Sequence, residues 1–107
     1  MKRVVVTGLG FISSIGNNRA AVTESLLEGR SGIEFVPELA AANDRVKLAG
    51  TVKGFEFPTS DPLDWTFPEQ VKLSRAQLRT MVPNAVFAYA SMHEAIADAK
   101  MEPAQVS

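Results

Sequence analysis

Lys72, Arg75 and Arg79 are the side chains whose type and spacing say most about chemistry. They recur at intervals of three and four, so a helix over residues 71–79 lines them along one face. No carboxylate lies between Val71 and Val82 to neutralise them. Such a face fits two readings. It is either a solvated helix surface or a docking patch for an acidic partner, where charge complementarity guides encounter and register more than it adds affinity. His93 is the only histidine, and there is no cysteine. The two-histidine spacing of a helical zinc site is therefore absent, and His93 reads as a core or boundary residue. Without cysteine there is neither a disulfide framework nor a thiolate metal site.

A second chemical suggestion comes from Gly8, Gly10 and Gly16, which follow Val4-Val5-Val6. A glycine-rich turn between a strand and a helix invites a dinucleotide site, but Ser13 stands where the third glycine of G-x-G-x-x-G belongs. The acidic residue that should close a second strand about 20 positions later is also missing, since Glu28 and Glu34 flank a Gly-Arg-Ser-Gly turn. The glycines are better explained as shaping the turn or allowing close backbone approach.

The elements that must position these residues follow from patterning. Three successive β-branched residues at 4–6, without alternation, predict a strand covered on both faces, as in the middle of an α/β sheet. Asn17 or Asn18 can cap a helix over Arg19 to Leu27, with Val22, Leu26 and either Ala21 or Ser25 facing that sheet and Gly29 at its C-terminal cap. Ile33 to Val36 is short and apolar and stops at Pro37, after which Glu38 to Asp44 suits a helical turn. Val46 to Phe57 alternates with a slip at Lys53-Gly54, which predicts one or two antiparallel strands. Three prolines make residues 58–68 a loop, in which Trp65 and Phe67 either pin it to the body or face a partner. Pro83 to Lys100 is the longest helix candidate, with Thr80 or Asn84 as cap and Val86, Tyr89, Ala90, His93, Ile96 and Ala97 at helical spacing. Its many alanines make it thin enough for close packing between layers or subunits.

The segment from Lys2-Arg3-Val4-Val5-Val6-Thr7-Gly8-Leu9-Gly10 through Ser13-Ser14-Ile15-Gly16-Asn17-Asn18 to Leu27-Glu28-Gly29-Arg30-Ser31-Gly32-Ile33 closely resembles the amino terminus of β-ketoacyl-(acyl carrier protein) synthases. These are the condensing enzymes of fatty-acid synthesis in the thiolase superfamily. The Ser-Ser-Ile-Gly-Asn-Asn wording looks more like the synthase I branch than the synthase II branch. Ala88 to Ala99 is similar to the next long helix of that family. Residues 54–70 and 80–87 match poorly by eye, and 58–68 looks like an insertion.

The resemblance implies an α/β, partial thiolase-like fold: an N-terminal strand–helix unit, paired strands and a second long helix, with residues 1–107 forming an incomplete N-terminal part of the domain. It also implies decarboxylative condensation of an acyl thioester with a malonyl-carrier protein, through a cysteine and two further histidine or histidine-asparagine residues. None of that machinery is in the sequence, so the chain alone is expected to be inactive and to carry no catalytic residue, metal or cofactor. Near the start of its long helix the family places basic residues that receive the acidic acyl carrier protein. Arg75 and Arg79 fall at those positions, counting back from Ser91-Met92, whereas Lys72 rests on spacing alone.

At 107 residues the chain is one domain at most. A net charge of −1 with mixed signs argues against nucleic acid and anionic membranes as partners. No apolar run nears the ~20 residues that span a bilayer, and a secretory leader pattern is absent, so a cytoplasmic protein is expected. Expected partners are an acyl carrier protein, the remainder of the synthase chain and further copies of itself. A non-catalytic module that binds a carrier or a synthase subunit is the alternative.

Overall fold

The computed structural model describes residues 1–106. Helix α1 (Arg19–Leu27) begins at Asn18, whose side chain accepts from the Ala21 N–H at 2.8 Å. It ends before Gly29 in the left-handed region at φ +65°. Strand β1 (Ile33–Phe35) leads into α2 (Pro37–Ala42), and β2 (Leu48–Gly50) returns antiparallel to β1, pairing Ile33 with Gly50 and Phe35 with Leu48. The alternation in residues 46–57 thus yields a single short strand. Its partner is β1, and the remainder crosses Gly54 at φ +79° before Glu56 bridges Thr66. Helices α3 (Arg75–Leu78), α4 (Pro83–Asp98) and α5 (Pro103–Val106) complete the order.

Residues 58–68 form a loop with one 3-10 turn at Pro62–Asp64, capped by the Asp61 side chain. Trp65 pins it. The indole is 9% exposed, donates its N–H to the Thr59 carbonyl at 2.8 Å and meets the Phe57 ring edge-on at 5.1 Å. Phe55, Trp65, Val71, Leu78 and Val86 form the core, with Phe87 contacting Phe55 and Phe57 edge-on. Val86 is fully buried, so the apolar face read along α4 is real in its first half. In the second half His93 and Ala97 are exposed.

Three expectations are corrected. Val4-Val5-Val6 forms no strand and is not covered on either face: the three are 96%, 68% and 81% exposed, and no hydrogen bond reaches residues 2–8 among the described residues. Nothing among the described residues pairs with this stretch or covers it. As a result α1 turns Val22 and Ser25 inward while Leu26 stays 67% exposed, because the sheet it was to lie on is absent. The Ser25 hydroxyl donates to the Ile15 carbonyl at 2.7 Å. The cap of α4 is Val82, which has no side-chain cap bond. Pro83 at the first position needs no donor, and the Thr80 hydroxyl turns back to the Gln77 carbonyl.

The radius of gyration is 16.7 Å, against about 13 Å for a compact chain of this length. The chain is therefore an open arrangement around a small core, with α4 as its longest member.

Candidate docking surface

The segment carrying Lys72, Arg75 and Arg79 is fixed at two buried anchors, Val71 and Leu78. Between them Ser74 starts α3 through a capping box. Its hydroxyl accepts from the Gln77 N–H at 3.2 Å, and the Gln77 side chain accepts from the Ser74 N–H at 2.9 Å. The helix is only four residues long, which corrects the expectation of one helical face for all three cations. Arg75 opens α3 and Arg79 is its C-cap, one turn on, with the Arg79 N–H donating to the Arg75 carbonyl at 3.2 Å. These two share a side. Lys72 precedes the helix, and the Tyr89 hydroxyl of α4 donates to its carbonyl at 3.0 Å.

All three cations are exposed, and none forms an ion pair among the described residues. Arg19, Arg30 and Lys53 are engaged by Asp98, Glu28 and Glu34, whereas Lys2, Arg3, Arg45, Lys47 and Lys100 are likewise exposed and form no ion pair among the described residues. Arg30 is held above its ordinary value, first by its hydrogen bond to Glu28. Glu34 is held below the usual carboxylate range, first by the Lys53 ammonium and then by the Thr51 hydroxyl. Lys72, Arg75 and Arg79 are three such unpaired charges within eight residues of a segment anchored at Val71 and Leu78, and clustered free charge of one sign is the kind of surface that can steer an oppositely charged partner.

The remaining candidates lead elsewhere. His93 is exposed beside Tyr89, with ring centroids 4.3 Å apart, and lines a cavity of about 430 Å³ whose floor includes Ile12, Phe55 and Val71. No group of three or more His, Cys, Asp or Glu side chains suited to a metal occurs among the described residues. The glycine turn is no phosphate cradle. The first N–H of α1, at Arg19, is taken by the Glu94 carboxylate at 2.7 Å, and Gly8 and Gly10 lie against α4. Glu94 and Asp98 are the polar residues that sequence patterning passed over. Their i, i+4 spacing at the end of a helix was the available signal.

The sequence profile of the family described as "Beta-ketoacyl synthase, N-terminal domain" matches residues 1–107. The chain is 45% identical over 107 residues to 3-oxoacyl-[acyl-carrier-protein] synthase 1 of Haemophilus influenzae, covering all of this chain and 23% of that protein. It is 44% identical over 103 residues to the synthase 1 of Escherichia coli, covering 96% of this chain and 22% of that one. A 3-oxoacyl-[acyl-carrier-protein] synthase 2 of Vibrio harveyi is 44% identical over 55 residues, or 51% of this chain and 13% of its own length.

This chain belongs to the β-ketoacyl synthase family.

Membership implies a thiolase-like α/β fold, and the helices and two-stranded sheet of this chain are consistent with part of it. The match runs through residues 54–70 and 80–87 as well, so the resemblance extends beyond the two segments legible by eye. The chain spans less than a quarter of the length of the synthases 1 it matches. No helix among the described residues is long and apolar enough to cross a membrane.

Proposed function

We propose that the chain is the N-terminal segment of a β-ketoacyl-(acyl carrier protein) synthase, an incomplete part of its thiolase-like domain, and that it supplies scaffold and part of a carrier-docking surface. The intact protein condenses an acyl thioester with a malonyl-carrier protein and releases carbon dioxide. The observation that carries this is 45% identity along the whole chain to a 3-oxoacyl-[acyl-carrier-protein] synthase 1. With no cysteine and a single histidine, the segment brings no thiolate nucleophile and no histidine pair, so by itself it is inactive. Arg75 and Arg79 receive the acidic carrier, and Lys72 adds to the same field. The exposed Val4 to Val6 stretch is where the remainder of the synthase chain continues the sheet. The working protein is a cytoplasmic homo-oligomer.

The test uses the complete synthase polypeptide carrying this segment. Condensation is followed as carbon dioxide release from malonyl-carrier protein, and carrier affinity is measured at low and moderate salt. Arg75→Glu with Arg79→Glu is expected to weaken carrier binding about tenfold or more at low salt, with a smaller gap at high salt. The turnover of a small soluble thioester analogue should stay unchanged. Unaltered carrier affinity would remove the docking role, and absence of any condensation would remove the enzyme reading.

A further inference from the structure

Residues 8–11 run along α4 in a regular way. A Cβ added at Gly8 would lie 2.2 Å from the Ala95 carbonyl oxygen and 2.8 Å from the Ala99 Cβ; at Gly10 it would lie 1.8 Å from the Ser91 carbonyl oxygen. Two residues along the segment thus correspond to four residues back along the helix. The hydrogen bonds repeat the same step. The Leu9 N–H donates to Asp98 Oδ2 at 3.0 Å and the Phe11 N–H to Glu94 Oε2 at 2.8 Å. Four residues of helix rise about 6.0 Å, and two residues of extended chain advance about 6.6 Å, so the two repeats match over this distance. Glu94 Oε1 then accepts the Arg19 N–H at 2.7 Å, and the Arg19 guanidinium pairs with Asp98 at 2.8 Å, tying the start of α1 to the same two carboxylates.

We propose that α4 is the rail that aligns the N-terminal segment: Glu94 and Asp98 take the place of a neighbouring strand on one edge of residues 8–11 and hold this stretch antiparallel to the helix. They also set where strand pairing stops. The N–H groups of Leu9 and Phe11 are occupied, whereas residues 2–8 have no hydrogen bond among the described residues, so an added strand on that edge finds free donors only before Leu9. A register slip toward the glycine turn would have to displace a carboxylate from a charge-assisted bond. The small side chains Ser91, Ala95 and Ala99 serve the same purpose, since a larger residue on this face would push the backbone out of carboxylate reach.

Amide hydrogen exchange, followed residue by residue by NMR on the chain as it stands, tests this. Leu9 and Phe11 should exchange about tenfold or more slower than Val5 and Thr7. Glu94→Ala should release Phe11 while Leu9 stays protected, and Asp98→Ala should release Leu9 while Phe11 stays protected. Glu94→Gln, which keeps one acceptor oxygen, should retain part of the Phe11 protection. Equal rates across residues 5–11 in the parent chain would overturn the proposal without any variant. So would variants that release both amides together, because that marks general loosening and not two separate rungs.

Discussion

Gly10→Ala is the substitution on which the packing of α4 can be judged most sharply. The added Cβ falls 1.8 Å from the Ser91 carbonyl oxygen, 2.8 Å from its carbonyl carbon and 2.9 Å from the Ala95 nitrogen. All three atoms are main chain inside a helix, so no rotamer change can withdraw them. Restoring an ordinary 3.4 Å contact requires the segment and α4 to separate by about 1.6 Å. That separation breaks the Leu9–Asp98 and Phe11–Glu94 hydrogen bonds at 3.0 and 2.8 Å. Overpacking alone costs about 1–3 kcal/mol, and each hydrogen bond to a charged group is worth about 1.5–3 kcal/mol when buried and less at the exposed Leu9. A loss of about 3 kcal/mol follows, which lowers the midpoint by roughly 12–24 °C for a chain near 100 residues. Gly29→Ala is the comparator. It meets nothing within 4 Å but sits at φ +65°, so it carries only the backbone penalty of about 1–2 kcal/mol. Thermal melting by circular dichroism at one fixed concentration measures both. A Gly10→Ala midpoint within a few degrees of the parent, or a smaller drop than for Gly29→Ala, would refute the close contact.

Two further outcomes follow from local geometry. Lys100 holds φ +54° just beyond α4, so Lys100→Gly should relieve about 1–2 kcal/mol of left-handed strain and return part of it as unfolded-chain entropy; the same melt should rise by a few degrees, and a fall would contradict the assignment of strain. Glu34, half-buried and hydrogen-bonded to Lys53 and Thr51, titrates below its ordinary value when folded, so its contribution is present above the unfolded pKa and lost as pH falls through the folded one. The stability difference between the parent and Glu34→Gln should therefore shrink between about pH 6 and pH 3, and a gap that widens on acidification would show the shift has the other sign.

What could be read from the sequence was whatever is decided within a few residues. Asn18 as cap, Gly29 at positive φ, the bounds of α1 and the proline-rich loop pinned by Trp65 all depend on local backbone and side-chain geometry, and each is found. The Ser74–Gln77 capping box is equally local, and it, rather than the charge spacing from residue 71, sets the start of the helix at Arg75. Less was legible where a partner decides. Residues 46–57 alternate on either side of the slip at Lys53-Gly54, a pattern compatible with one strand or two; Leu48–Gly50 alone forms one, because only there does β1 supply the other half of the ladder. His93 keeps helical spacing with Val86 but ends exposed, since the loop packed on α4 reaches only its first half. The position of Arg75 and Arg79 on one exposed side was legible from their i, i+4 spacing, while the separate place of Lys72 was not.

The Val4 to Val6 stretch shows how pattern and structure can disagree without either being wrong. A continuous β-branched run encodes burial on two faces and pairing on two edges, a demand for four neighbours. In this chain those neighbours are missing, and the three valines are among the most exposed apolar residues present, together with Leu27 and the β-ribbon face of Ile33, Phe35 and Leu48. These surfaces have the composition of a protein interior and the exposure of a protein surface, a combination that soluble chains avoid because it promotes association. The carboxylates of α4 resolve only one part of that conflict, by occupying the N–H groups just past the valines. The faces of the valines stay exposed, so the segment combines the sequence pattern of a central strand with an open shape.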